Sequence, residues 1–242
     1  MTPRATLLQT TLAATCIAFS TAAPAATISF ADGTFDPSSL TTIFDPDNHG
    51  SVLTYGQAFK LGNPGVAYEM DASLLRSSRA AIDVVENNWV YDPAASGAVA
   101  GISFSQDLWE ESNLGISTSA AIVAVVQDGV WYIHPIALSP QSAIWKTGRA
   151  DQLQAIDFTS TAGQHPDFDR PIAFGWKQSF TSRAANPRTD YTSRVDNFEV
   201  TVTAVPEPGT LAMWVCGLGT AMILRRRGRS TFAVRSTRTS AR

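Results

Sequence analysis

Acid–base or nucleophilic chemistry needs a poised side chain with partners at fixed spacing, and this chain offers few. Its three histidines, His49, His134 and His165, stand far apart, and none belongs to a metal-binding pair such as H-x-x-x-H. Each reads as an ordinary loop or surface residue. No G-x-S-x-G elbow occurs. Cys16 and Cys216 lie near the two ends, so the middle has neither a thiol nucleophile nor a disulfide. A glycosidase needs two carboxylates flanking one bond. Glu86, Glu110, Glu111 and Glu199 are candidates, but adjacent Glu110 and Glu111 would face opposite sides of a strand. Asp45-Pro46-Asp47-Asn48-His49-Gly50 fits a calcium loop at its first, third and sixth positions, yet Gly56 stands where a bidentate Glu is required. It reads as an acidic turn. No catalytic residue is expected, and the chain is not expected to be an enzyme; a polysaccharide-active hydrolase or lyase with an unrecognised carboxylate site is the alternative.

Aromatic side chains are the other chemical resource. Trp89, Tyr91, Trp109, Trp131, Tyr132, Trp145, Trp176 and Tyr191 are many for one domain. Sugar rings stack on exposed aromatic faces while polar groups at the edges fix orientation. Tryptophan in a β-sandwich is more often core. Trp109 and Trp145, beside Glu110 and Lys146, are the candidates for an exposed ligand platform.

The elements that must position these residues are strands. Apolar-alternating and β-branched runs separated by Gly, Pro, Asn and Asp clusters predict strands near 27–30, 51–59, 66–70, 82–91, 99–106, 117–127, 130–135, 153–158, 172–180 and 194–204. Asp128-Gly129 is the strongest hairpin signal, a type I′ dipeptide between Val126 and Val130. Asn63-Pro64-Gly65 and Asp92-Pro93 read as turns. About ten strands with no helices between them predict an all-β fold, a two-sheet antiparallel jelly-roll sandwich over residues 27–204. That segment carries 10 basic against 20 acidic residues, a balance of −10 that repels nucleic acid and tolerates cations.

Both ends read as address labels. Arg4 precedes a short apolar run at 12–19, and Ala23-Pro24-Ala25 has the small-residue form that signal peptidase accepts, so 1–26 is expected to be a signal peptide. Near the other end Pro206-Glu207-Pro208 leads into an uncharged run at 209–224, then Arg225, Arg226, Arg227 and Arg229. Sixteen residues make a helix of roughly 24 Å, short for a hydrocarbon core of about 30 Å, so snorkelling or local thinning is expected. The arginines would sit on the cytoplasmic side.

This tail, 205–229, resembles the PEP-CTERM sorting signal of Gram-negative bacteria that make extracellular polysaccharide. The resemblance implies export, a transmembrane helix holding the protein transiently in the inner membrane, processing by an exosortase-type membrane protease, and release to the cell surface or outside. The family signal usually stops soon after its basic cluster, whereas the chain continues here through 230–242, expected to be a basic, disordered tail. In the middle, Gly62-Asn63-Pro64-Gly65, Tyr91-Asp92-Pro93 with residues 102–105, 125–129, 165–168 with 174–176, and Val195-Asp196-Asn197-Phe198-Glu199-Val200 resemble exported jelly-roll domains similar in outline to carbohydrate-binding modules. That resemblance implies a non-catalytic binding or matrix ectodomain engaging exopolysaccharide. It also implies a structural calcium ion between the first and last strands, where Asp32, Asp36 and Asp196 stand. The other reading of these aspartates is two turns and a strand cap.

Overall fold

The structure, a computed structural model, describes residues 25–46, 51–112, 120–136, 138, 143–182 and 188–205. Eleven strands occur among them: β1 (Ala26–Asp32), β2 (Leu40–Pro46), β3 (Val52–Gly62), β4 (Gly65–Leu75), β5 (Arg79–Tyr91), β6 (Ala98–Ser112), β7 (Ala120–Gln127), β8 (Val130–Ile136), β9 (Lys146–Leu153), β10 (Ile172–Thr181) and β11 (Arg188–Val205). They form two antiparallel sheets, one in the order β3-β4-β11-β6-β9 with β1 added to β11, the other β2-β5-β10-β7-β8. From β4 onward, 4-11-6-9 against 5-10-7-8 is the eight-strand jelly-roll order, in which successive strands alternate between sheets except at the β7–β8 hairpin.

Alternation along the strands builds the core. In β11, Val195, Phe198, Val200 and Val202 are buried, whereas Glu199 and Thr201 between them face outward. Trp176 of β10 is fully buried, with its ring 5.0 Å from Phe198 and 5.7 Å from both Phe35 and Tyr68. Phe104 and Phe174 extend this aromatic layer.

β11 is the spine of its sheet. One edge pairs with β6 along nearly its whole length; the other pairs first with β4 (188–195) and then with β1 (198–204). A bulge at Asp196 and Asn197, where Asn197 takes φ 48°, marks the change of partner.

Asp128 and Gly129 both take positive φ in the β7–β8 hairpin, as the type I′ turn requires. Asn63 and Pro64 form the β3–β4 turn. Asp92 N-caps a single helical turn, α1 (Pro93–Ser96), accepting from the Ala94 N–H at 3.0 Å. Three expectations are corrected. Residues 153–158 are not a strand: they follow the end of β9 and form a 3₁₀ turn, Ala155–Asp157, closed when Asp157 accepts from the Gln154 N–H at 2.7 Å. β2 and the body of β9 are strands that the pattern did not reveal. The last strand begins at Arg188, not near 194, so Asp196 sits in the middle of β11 and caps no strand entry.

Candidate functional site

β11, β6 and β9 lie side by side, and their outward residues form a polar groove. Glu199 pairs with Ser105, which pairs with Arg149; one row on, Thr201 pairs with Ser103. Ser103 and Ser105 are the floor, Glu199 and Thr201 one wall, Arg149 and Asp151 the other, around a volume of about 210 Å³. With neighbouring strands about 4.8 Å apart, the walls stand about 10 Å from each other at the backbone. Arg149, Asp151 and Glu199 are exposed, and none is in an ion pair among the described residues. Thr201 shares a hydroxyl contact of 3.1 Å with Ser29 of β1.

Both ends of the groove are built over. Gln152 takes φ 53° in a bulge of β9, and its Nε2 donates to Thr203 Oγ1 of β11 at 3.2 Å, crossing β6 above Gly101. At the other end Asp107, 7 % exposed, accepts from Thr147 Oγ1 at 2.5 Å, Asn197 Nδ2 at 2.8 Å and Asn63 Nδ2 at 3.3 Å.

That second end adjoins the place where β1 and β4 meet along β11. Asp196 is fully buried there and accepts from the backbone N–H groups of Asn63 and Asn197. Burial pushes its carboxyl up; the two hydrogen bonds oppose this, and the nearby charges of Asp107 and Asp32 reinforce it. Asp32 ends β1 opposite Phe198, on the inner face. Burial would raise its carboxyl, but hydrogen bonds from the Thr34 and Phe35 N–H groups, the Thr34 hydroxyl and Glu86 outweigh it and leave the group below its ordinary value. Glu86, 1 % exposed, is pushed up to about 8, first by burial and then by the hydrogen bond to Asp32 and its charge. Asp36 stands apart: it is exposed, and its carboxylate accepts from the Ser38 N–H at 2.9 Å.

Of the three aspartates expected around an ion, two therefore come near each other, joined by Glu86 and Asp107. Among the described residues no group of three or more His, Cys, Asp or Glu side chains is arranged to hold a metal ion. Glu86 stood out in the sequence only among the carboxylates a glycosidase could use, and nothing local marked Asn63 or Asp107 as companions of Asp196.

Trp109 lies on the same outer face as the groove. It is half-buried, with the Arg194 guanidinium 4.0 Å over its ring, and Arg194 is itself held by Glu69 at 2.6 Å. Trp145, half-buried, immediately precedes β9, whose first residue Lys146 pairs with Leu108. Trp89 stacks on Phe198, and Trp176 is core. His134 and His165 contact the backbone carbonyls of Asp157 and Phe158 at 2.9 and 2.7 Å. Glu110 is buried and accepts from Gln178 at 2.8 Å, whereas Glu111 is exposed, as their adjacency in a strand requires.

His49, the signal peptide, Pro206-Glu207-Pro208, the apolar run and the arginine cluster lie outside the described residues. Among the described residues no helix is long and apolar enough to cross a membrane.

No family model matches the chain, and no curated protein does. Solved structures similar to it include the family 11 carbohydrate-binding module from Clostridium thermocellum in complex with a β-1,3-1,4-mixed-linked tetrasaccharide, at 13 % identity and TM-score 0.46 over 76 % of this chain and 99 % of that one. A carbohydrate-binding module of family 27, described for specific mannan recognition, matches at 10 % identity and TM-score 0.38 over 74 % of this chain and 99 % of that one. An exo-β-agarase matches at 12 % identity and TM-score 0.42 over 70 % of this chain and 25 % of that one. The fold assignment rests on the strand order and registers above.

Proposed function

We propose that residues 27–204 are a non-catalytic binding ectodomain that engages extracellular polysaccharide through the outer groove of the β11-β6-β9 face. The observation that carries this is the groove's lining. Two serine hydroxyls form its floor, and a guanidinium and two carboxylates that make no ion pair among the described residues form its walls. Sugar hydroxyls both donate and accept, and charged partners make the stronger hydrogen bonds with them. Trp109, a platform candidate from the sequence, lies on the same face beyond Asp107, with Arg194 over its ring.

Asp151 and Glu199 flank the groove, which is the arrangement a hydrolase would use. A general acid needs desolvation to hold its proton near neutrality, and both side chains are exposed. Binding is therefore favoured over hydrolysis.

The ends supply the setting. Signal peptidase removes 1–26, the run at 209–224 holds the protein in the inner membrane, and an exosortase-type protease acts near Pro206-Glu207-Pro208. A calcium ion bridging Asp32, Asp36 and Asp196 is a further part of the proposal, and it requires Asp36 to leave Ser38.

Glycan-array binding of the full chain in mild detergent, with and without calcium, tests the central point. Retention of neutral polysaccharides, with no reducing sugar released on prolonged incubation, is the expected result. Release of reducing ends that Glu199→Gln stops would establish the hydrolase instead.

A further inference from the structure

We propose that the groove takes the free end of a neutral glycan, one or two sugar rings, and does not accept the interior of a chain. This rests on the binding function proposed above and adds the class of ligand.

The length of the open floor argues for it. Gly101, Ser103, Ser105 and Asp107 share one face of β6, because side chains repeat every two residues. From Gly101 to Asp107 is about 20 Å at roughly 3.3 Å per residue, long enough for several sugar rings if the whole strip were open. Only its middle is. A Cβ built on Gly101 would lie 2.7 Å from Gln152 Oε1 and 3.3 Å from Gln154 Nε2, so two glutamine side chains already occupy the space above it. Both are tied down, Gln152 to Thr203 and Gln154 to the Ala100 carbonyl at 2.6 Å. At the other end three donors from three different segments converge on Asp107 and seal the strip. A chain threading the groove would have to break one of these sets. A chain end would not.

The remaining volume agrees. About 210 Å³ is less than the roughly 300–1,000 Å³ of pockets that enclose drug-sized ligands. The charge of the lining sets the chemistry: two carboxylates oppose one guanidinium, within a domain of balance −10. Uronate or sulfated sugars are repelled, whereas hydroxyl groups find acceptors at Glu199 and Asp151 and a donor at Arg149.

The test is titration calorimetry of the full chain with neutral gluco-, manno- and xylo-oligosaccharides of one to six rings. A cyclised oligosaccharide and an oligogalacturonate complete the set. For the series that binds, affinity should rise from one ring to two and then stay within about twofold through six. The cyclised and uronate probes should bind at least tenfold more weakly. Arg149→Ala and Glu199→Gln should each weaken binding at least tenfold, and Gln152→Ala should let affinity climb with length. Affinity that climbs through four or more rings in the parent, or a cyclised probe that binds as well as the linear one, overturns the chain-end assignment and leaves glycan binding intact. Tighter binding of the uronate overturns the neutral assignment. Full binding by both groove variants places the site elsewhere. If no saccharide binds at all, the underlying function fails as well.

Discussion

The carboxyl of Glu86 is hydrogen-bonded to that of Asp32, a contact made in the interior between the end of β1 and the middle of β5. Two carboxyl groups hold such a bond only while they share a proton, and Glu86 keeps it up to about 8 instead of its ordinary 4.5. The folded state therefore binds more protons than the unfolded state between these values, and stability falls as pH rises through that window. Asp196, also raised, acts in the same direction. Asp32 and Asp36, both lowered, act oppositely and only at acid pH. The melting temperature should fall from about pH 5 to about pH 8. Glu86→Gln, whose amide donates to Asp32 without titrating, should remove most of that fall in a thermal scan.

Phe198 joins the two sheets through contacts with Trp89 and Trp176 of the facing sheet, and packs on Phe104 of its own. Phe198→Ala should destabilise by about 3–5 kcal/mol, transfer and cavity costs together. Urea denaturation checks this through the midpoint at unchanged slope.

Two glycines should separate cleanly. A Cβ on Gly175 would lie 2.2 Å from the Val84 carbonyl oxygen, a backbone atom that cannot step aside, whereas nothing lies within 4 Å of one on Gly33. Gly175→Ala should cost about 1–3 kcal/mol or more. Gly33→Ala should stay within about 0.5 kcal/mol, as surface changes usually do. Equal melting temperatures for the two variants would refute the packing argument.

Replacing Pro206, Glu207 and Pro208 together by alanine leaves the apolar run and the arginines in place. The expected outcome is unprocessed protein accumulating in the inner membrane, seen by fractionation and immunoblot. Maturation at the parent's rate would remove the sorting proposal.

Calcium should raise the melting temperature of the full chain, by an amount corresponding to about 2.7 kcal/mol at a hundredfold excess over Kd. Asp196→Ala should abolish the rise. A melting curve that ignores both chelator and millimolar calcium returns the aspartates to the hydrogen bonds they make here.

The sandwich was legible because its inner strands alternate. What escaped detection lies at the edges. β9, Lys146–Leu153, has Thr, Gly, Arg, Asp and Gln in its body, because an edge strand gains by charge and has little core to face. β2 was hidden because Ile43, an outward position 48 % exposed, breaks the alternation of Leu40, Thr42 and Phe44. The segment 153–158 misled in the reverse way: Leu153 and Phe158 are buried, but Ile156 between them is 67 % exposed. The groove inherits these limits. Ser103, Ser105, Glu199 and Thr201 could be assigned to an outer face from period two alone. Arg149 and Asp151 could not, because their strand was not recognised. The meeting of Asn63 with Asp196 depends on a turn and a bulge 133 residues apart, which no local pattern encodes.

β11 ends at Val205, just before the segment proposed to tether the domain. It is not an edge strand: β6 flanks one side, and β4 and then β1 flank the other. A pull on Val205 along the strand axis therefore loads two rows of hydrogen bonds together, in shear, and cannot peel the sheet open one bond at a time. Were the chain held beyond Val205 as proposed, the load would enter on a strand bonded along both edges.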